Sequence, residues 1–98
     1  MKTSVHVSPQ VIAFVKSLAP DPRGKLTKPI KALANDRGDV KRLEGKLEEY
    51  SRLRVAGHRV IFREVFRSGT RKIDCVFAEK RSIVYDIFVQ LTAEELGK

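Results

Sequence analysis

Apolar and polar positions along this 98-residue chain change period partway, and the change divides it into elements. Thr3 to Val7 is a short β-prone run, and Ser8-Pro9 then offers an N-cap followed by a proline whose φ already suits a helix. Val11, Ile12, Phe14, Val15 and Leu18 recur at helical spacing, so the first helix carries an apolar stripe that should pack on a sheet. Ala19-Pro20 ends this helix. Asp21-Pro22 repeats the cap-and-proline signal for a second one, with Leu26, Ile30 and Leu33 on one face, so the two form a hairpin. Pro29 interrupts that segment, which predicts a kink or a helix that begins later than Pro22. Asn35 to Asp39 reads as a loop by composition.

From Tyr50 onward the period becomes two. Three strands align when the turns are centred on Ala56-Gly57 and Ser68-Gly69, because only then do their apolar residues share a face. That face holds Leu53, Val55, Val60, Phe62, Ile73, Cys75 and Phe77 and is expected to lie against the helices. Arg52, Arg54, Arg59, Ile61, Arg63, Asp74 and Val76 fall on the other. Arg63 stands across from Asp74, which predicts a cross-strand ion pair. Arg54 and Arg59 stand across from each other with Cβ atoms about 4.5–5.5 Å apart, and no acid is expected opposite either. Like charges so placed repel, so the arrangement points to a polyanionic ligand. Residues 82–90 fit either a helix capped by Ser82 or a final edge strand, and Thr92 to Leu96 match a capped terminal helical turn. The expected fold is α+β: an N-terminal strand and a two-helix hairpin packed on one face of a small antiparallel sheet, in a single domain spanning 1–98.

Charge sharpens this picture. The chain carries +8, and residues 51–81 hold nine basic against three acidic side chains, including seven of the ten arginines. The net charge favours an acidic partner, whether nucleic acid, an acidic protein segment or an anionic membrane surface, and because arginine grips phosphate with a planar fork and keeps its charge, the bias favours phosphate over general solubility. A lone cysteine, Cys75, excludes an internal disulfide and sits in an apolar run as a buried thiol would. Two histidines and one cysteine offer no metal-ligand spacing, no glycine-rich phosphate loop is present, and no cofactor is implied. Neither a signal peptide nor a membrane-length apolar run is seen, so the expected location is the cytoplasm and no membrane partner is expected.

The run Leu43-x-Gly45-x-Leu47-x-x-Tyr50-x-Arg52-Leu-Arg54-x-x-Gly57-His58-Arg59-Val-Ile-Phe62, then Ile73 to Phe77, then Lys80-Arg81 with Tyr85 four residues on, resembles the RelE/ParE superfamily of bacterial toxins. The order of strand, helix hairpin and antiparallel sheet is similar too. The resemblance implies the toxin of a type II toxin–antitoxin pair, a microbial-ribonuclease-like fold, and a cognate antitoxin whose acidic and apolar segments wrap it in a hetero-oligomer. For RelE-like members it implies a ribosome-dependent endoribonuclease acting on mRNA, in which the ribose 2′-hydroxyl attacks the adjacent phosphodiester. On that pattern Arg52 and Arg54 bind phosphate and include a candidate proton acceptor, Arg59 clamps the nonbridging oxygens, Arg81 stabilises the leaving group and Tyr85 stacks on or orients a base. Lys46 and Lys80 would add phosphate or RNA contacts.

The chain departs from the pattern where RelE-like enzymes have lysines and it has arginines, and a guanidinium barely deprotonates. A general base would then come from Glu49 or His58, with Glu48 behind them, although the register puts His58 on the helix-facing side. The alternatives are a ParE-like toxin that inhibits DNA gyrase by binding and a noncatalytic family member acting as a binding module. Arg81 and Tyr85 together with the hairpin arginines favour the nuclease.

Overall fold

A computed structural model describes residues 2–18 and 20–96, and the side chains of all of these except 20–23, 46 and 91–96. The elements in chain order are β1 (Lys2–Val7), α1 (Pro9–Ser17), α2 (Pro20–Ala32), β2 (Asp39–Arg42), β3 (Ser51–Val55), β4 (His58–Arg67), β5 (Thr70–Lys80) and α3 (Val84–Leu96). Short 3-10 turns at Leu33–Asn35 and Gly45–Leu47 flank β2. The five strands form one sheet in the order β1-β5-β4-β3-β2. β1 joins β5 in parallel, whereas the β2–β3, β3–β4 and β4–β5 pairs are antiparallel, so the sheet of this α+β fold is mixed.

Local chemistry explains the entry to α1. The Ser8 hydroxyl accepts from the Val11 amide at 3.3 Å, with Pro9 in the first helical turn. The same hydroxyl donates to the Val76 carbonyl at 3.0 Å, and the Gln10 side-chain amide bonds both the N–H and the C=O of Ala78 at 2.8 Å. β1 stops opposite Cys75, so these two side chains satisfy β5 backbone groups beyond the end of their strand partner.

Helix α2 begins at Pro20 and runs through Pro29, earlier than the interior proline suggests, so Asp21 is its second residue and not the cap that precedes it. Leu26, Ile30 and Leu33 are buried as their spacing requires. With Val11 they meet Leu53, Val60, Phe62, Ile73 and Cys75 in the main core between the helix hairpin and the sheet.

Two segments differ from the sequence reading. Asp39 is the first residue of β2 and not the end of a loop, and residues 84–96 form one continuous helix that absorbs the terminal turn. Helix α3 covers the opposite sheet face, where Val84 and Phe88 pack on Ile61 and Phe77. Phe77 therefore lies on the other side from its expected one. Both hairpin turns sit where expected, pairing Arg54 with Arg59 and Arg67 with Thr70. Between them, however, Phe62 pairs with Cys75 while Ile61 pairs with Phe77, which leaves Val76 as the extra residue of a β-bulge. One inserted residue inverts the alternation, so Phe77 joins the α3 face and Ala78 takes its place in the main core.

Candidate active site

The register of the central strands puts Arg52, Arg54 and Arg59 on the α3 face of the sheet, as their alternation requires. Their surroundings are not what the sequence suggests. β2 brings Asp39 opposite Arg54, and the bulge brings Glu79 opposite Arg59, so both arginines have an acid across from them. Arg54 Nε lies 2.6 Å from Asp39 Oδ2, and Arg52 Nη1 lies 3.5 Å from Oδ1 while donating to the Asp39 carbonyl at 3.1 Å. Burial alone would push the Asp39 carboxyl up, but Arg54 and Arg52 outweigh it and hold the group below its ordinary value. Arg59 is only 8% exposed, and its Nη1 donates to the Ala56 and His58 carbonyls at 3.0 and 2.9 Å. It ties down the β3–β4 turn instead of standing free on the surface.

A cleft of about 320 Å³ opens where β2, the strand β3 and the first turn of α3 meet. Its lining includes Arg52, Tyr85, Lys41, Arg42 and Glu44. Lys41 stands directly across from Arg52, and Arg42 Nε donates to the Glu48 carbonyl at 2.7 Å, which fixes the stem of that side chain. Tyr85 is held from behind by the apolar cluster of Phe77, Val84 and Phe88, so its ring has a defined place on the cleft wall. Arg81 is exposed at the far end of the sheet, where its backbone N–H donates to the Gly57 carbonyl at 2.9 Å.

Solved structures with this architecture exist. A YoeB/ParE toxin from Agrobacterium tumefaciens superimposes with a TM-score of 0.62 at 14% identity, covering 83% of this chain and 99% of that one. A RelB-RelE antitoxin-toxin complex from Methanococcus jannaschii matches at 0.62 and 19%, covering 85% and 98% of the two chains. An archaeal RelE-RelB complex from Pyrococcus horikoshii OT3 matches at 0.62 and 23%, covering 83% and 97%. The fold is that of the RelE/ParE toxins. No protein-family model matches the sequence, and no curated protein matches it at a significant level.

On this RelE/ParE fold the expected residues separate. Arg52 and Tyr85 come together; Arg54 stands one pair along the strand, bound to Asp39; Arg59 and Arg81 lie toward the turn. His58 is on the helix side, as its register requires, with its ring edge-on to Phe14 at a centroid distance of 5.7 Å, and so it does not reach the cleft. Glu49 is exposed in the loop before β3, Glu48 is exposed beside it, and neither lines the cleft. Lys80 is exposed on the register of His58, on the helix side, and the Lys46 side chain lies outside those described. Arg63 makes the expected contact with Asp74, at 3.7 Å. Cys75 is buried, and that burial, with Asp74 adding to it, pushes its thiol up to about 12.

Lys41, Arg42 and Glu44 were missed by sequence reasoning. A strand of four residues with a single apolar side chain, Asp39-Val-Lys-Arg, has too little alternation to declare itself. The available signal was charge: Asp39 and Arg54 make a complementary cross-strand pair, and so set the register that brings Lys41 to Arg52.

Proposed function

We propose that this protein is the toxin of a toxin–antitoxin pair and that it cuts mRNA on the ribosome by attack of a ribose 2′-hydroxyl on the adjacent phosphodiester. The observation that carries the reading is the shared cleft of Arg52 and Tyr85, in which Lys41 and Arg42 add cations and Glu44 supplies a carboxylate. Asp39 neutralises only part of this set, since Arg52, Arg54, Lys41 and Arg42 face two carboxylates, Asp39 and Glu44. Arg52 offers a fixed positive charge to the nonbridging oxygens, where negative charge grows in the pentacovalent transition state. Glu44 takes the proton of the 2′-hydroxyl as its oxygen bonds to phosphorus, and Lys41 gives one to the 5′-oxygen as its bond to phosphorus breaks. A cyclic phosphate and a free 5′-hydroxyl result. Tyr85, backed by the α3 cluster, orients the neighbouring base. Glu44 thus replaces Glu49 and His58 in the role of base.

Two of the similar structures are antitoxin-toxin complexes, which supports a cognate antitoxin for this chain, and its positive charge suits a partner rich in acidic residues. The target of such a toxin is tested by primer extension on a reporter mRNA after brief expression. Codon-phased stops are expected, with Arg52→Gln and Glu44→Gln each weakening them roughly 100-fold or more. Phased stops of undiminished strength in a folded Glu44→Gln protein would remove that residue from the chemistry. A second reading, inhibition of DNA gyrase by binding alone, is favoured by the pairing of Arg52 and Arg54 with Asp39 and by the turn-bound Arg59. It predicts a DNA-damage response with no cleaved message.

A further inference from the structure

The α3 helix covers only part of its sheet face, around Ile61 and Phe77. Beyond it, β1, β5 and β4 present an open surface ordered by their registers. Lys2 aligns with Thr70 and Arg67, Ser4 with Lys72 and Val65, and His6 with Asp74 and Arg63. A concavity of about 540 Å³ lies on it, lined by Ser4, Arg63, Arg67, Thr70, Lys72 and Asp74. Asp74 is the only acid in these three rows, and it reaches Arg63 at 3.7 Å, too long for a hydrogen bond from the otherwise unbonded Nε–H. Among the described residues, no ion pair is made by Lys2, Arg67 or Lys72. The cations of this face are thus weakly neutralised, in contrast with Arg52 and Arg54 of the hairpin.

The chemistry of the surface selects its ligand. Four cations spread over three strands, with Arg63 and Arg67 roughly 13 Å apart along β4, match a charged chain better than a single ion. The Ser4 hydroxyl is a neutral donor of the kind that bonds phosphate oxygens, whereas the Thr70 hydroxyl already donates to the Arg67 carbonyl at 2.6 Å. Of aromatic rings these rows hold only the exposed His6 imidazole, and Val65 is the only apolar side chain, so they favour backbone contacts over base stacking and lack the apolar anchors of a protein interface. We propose that this face is a second, sequence-independent site for the phosphodiester backbone of RNA, separate from the Arg52–Tyr85 cleft. The choice of RNA rests on the function proposed above; the phosphate chemistry does not.

Fluorescence anisotropy of a labelled single-stranded RNA 20-mer, titrated with the full-length protein at several KCl concentrations, tests this. Replacing two cations in Arg67→Gln/Lys72→Gln is expected to lower the slope of log K against log salt by about 1.4, at about 0.7 for each phosphate no longer neutralised. The charge-preserving pair Arg67→Lys/Lys72→Arg should keep the wild-type slope. A slope unchanged in the glutamine pair overturns the proposal, as does a loss of binding to polyglutamate with RNA binding intact. If the wild-type protein cuts no message yet shows the slope difference, the cleavage reading falls and the RNA site stands.

Discussion

Gly38 shows how one residue can set a strand. Its φ of +121° is open to glycine and strained for other residues, and a Cβ there would come within 2.8 Å of Leu53 Cδ1 in the main core. The chain can turn from the 3-10 segment into β2 at this spot only because no side chain intervenes. Gly38→Ala should therefore lower stability by about 2 kcal/mol, read as a reduced urea midpoint at unchanged slope. Arg59 is the opposite case, a side chain whose identity suggests surface chemistry and whose position is structural. Truncating it would leave the Ala56 and His58 carbonyls without that donor, so a loss of the proposed activity in Arg59→Ala would report folding as well as chemistry. Arg52, at the cleft wall, is the cleaner probe.

Among the elements, β2 is the least stable by construction. All four of its residues are exposed, and it holds to the sheet by one edge, helped by the pairs from Asp39 to Arg54 and Arg52. Because the folded state holds the Asp39 carboxyl below its ordinary value, the pair stabilises at neutral pH, and that contribution is lost as pH falls through the folded value. In Asp39→Asn this acid-dependent part of the stability should vanish, and β2 amides should exchange with solvent faster than those of β4, as measured by hydrogen exchange. Element α3 teaches a different lesson. Ile83 to Val89 has the composition of a strand, yet Val84 and Phe88, one helical turn apart, both reach the Ile61–Phe77 cluster. Tertiary burial overrides the weak local preference.

For the whole molecule, the two cores on opposite faces of one sheet back two walls of the cleft: its Arg52 wall stands on a strand whose neighbour Leu53 is fully buried, and its Tyr85 wall on a packed helix, while the β2 wall has no such support. Cys75 lies in the first of these cores, so its titration reports global unfolding. Its thiol, raised to about 12 when folded, stays neutral where the unfolded chain already ionises near 9. The Cys75 contribution to stability should then be flat below pH 9 and become unfavourable from there toward 12, and a thiol reagent at pH 8 should label Cys75 only at the rate of unfolding. Labelling faster than unfolding measured by circular dichroism would contradict that burial.

Sequence alone determined the first helix and its cap at Ser8, the burial of Leu26, Ile30 and Leu33, both hairpin turns, the contact of Arg63 with Asp74 and the side of the sheet on which His58 lies. Each of these depends on period, turn chemistry or a neighbour a few residues away, which the order of residues records directly. The tertiary structure decided the rest: the Val76 bulge that carries Phe77 to α3, the β2 strand that neutralises Arg54 and supplies Lys41, and the choice of helix over strand after Ser82. A bulge between two apolar residues leaves the hydrophobic pattern readable either way, and a strand made of charges is recognisable only once its partner stands beside it. What surrounds a guanidinium is a property of distant segments brought together, and for that reason the sequence could name the arginines without saying which of them would be free.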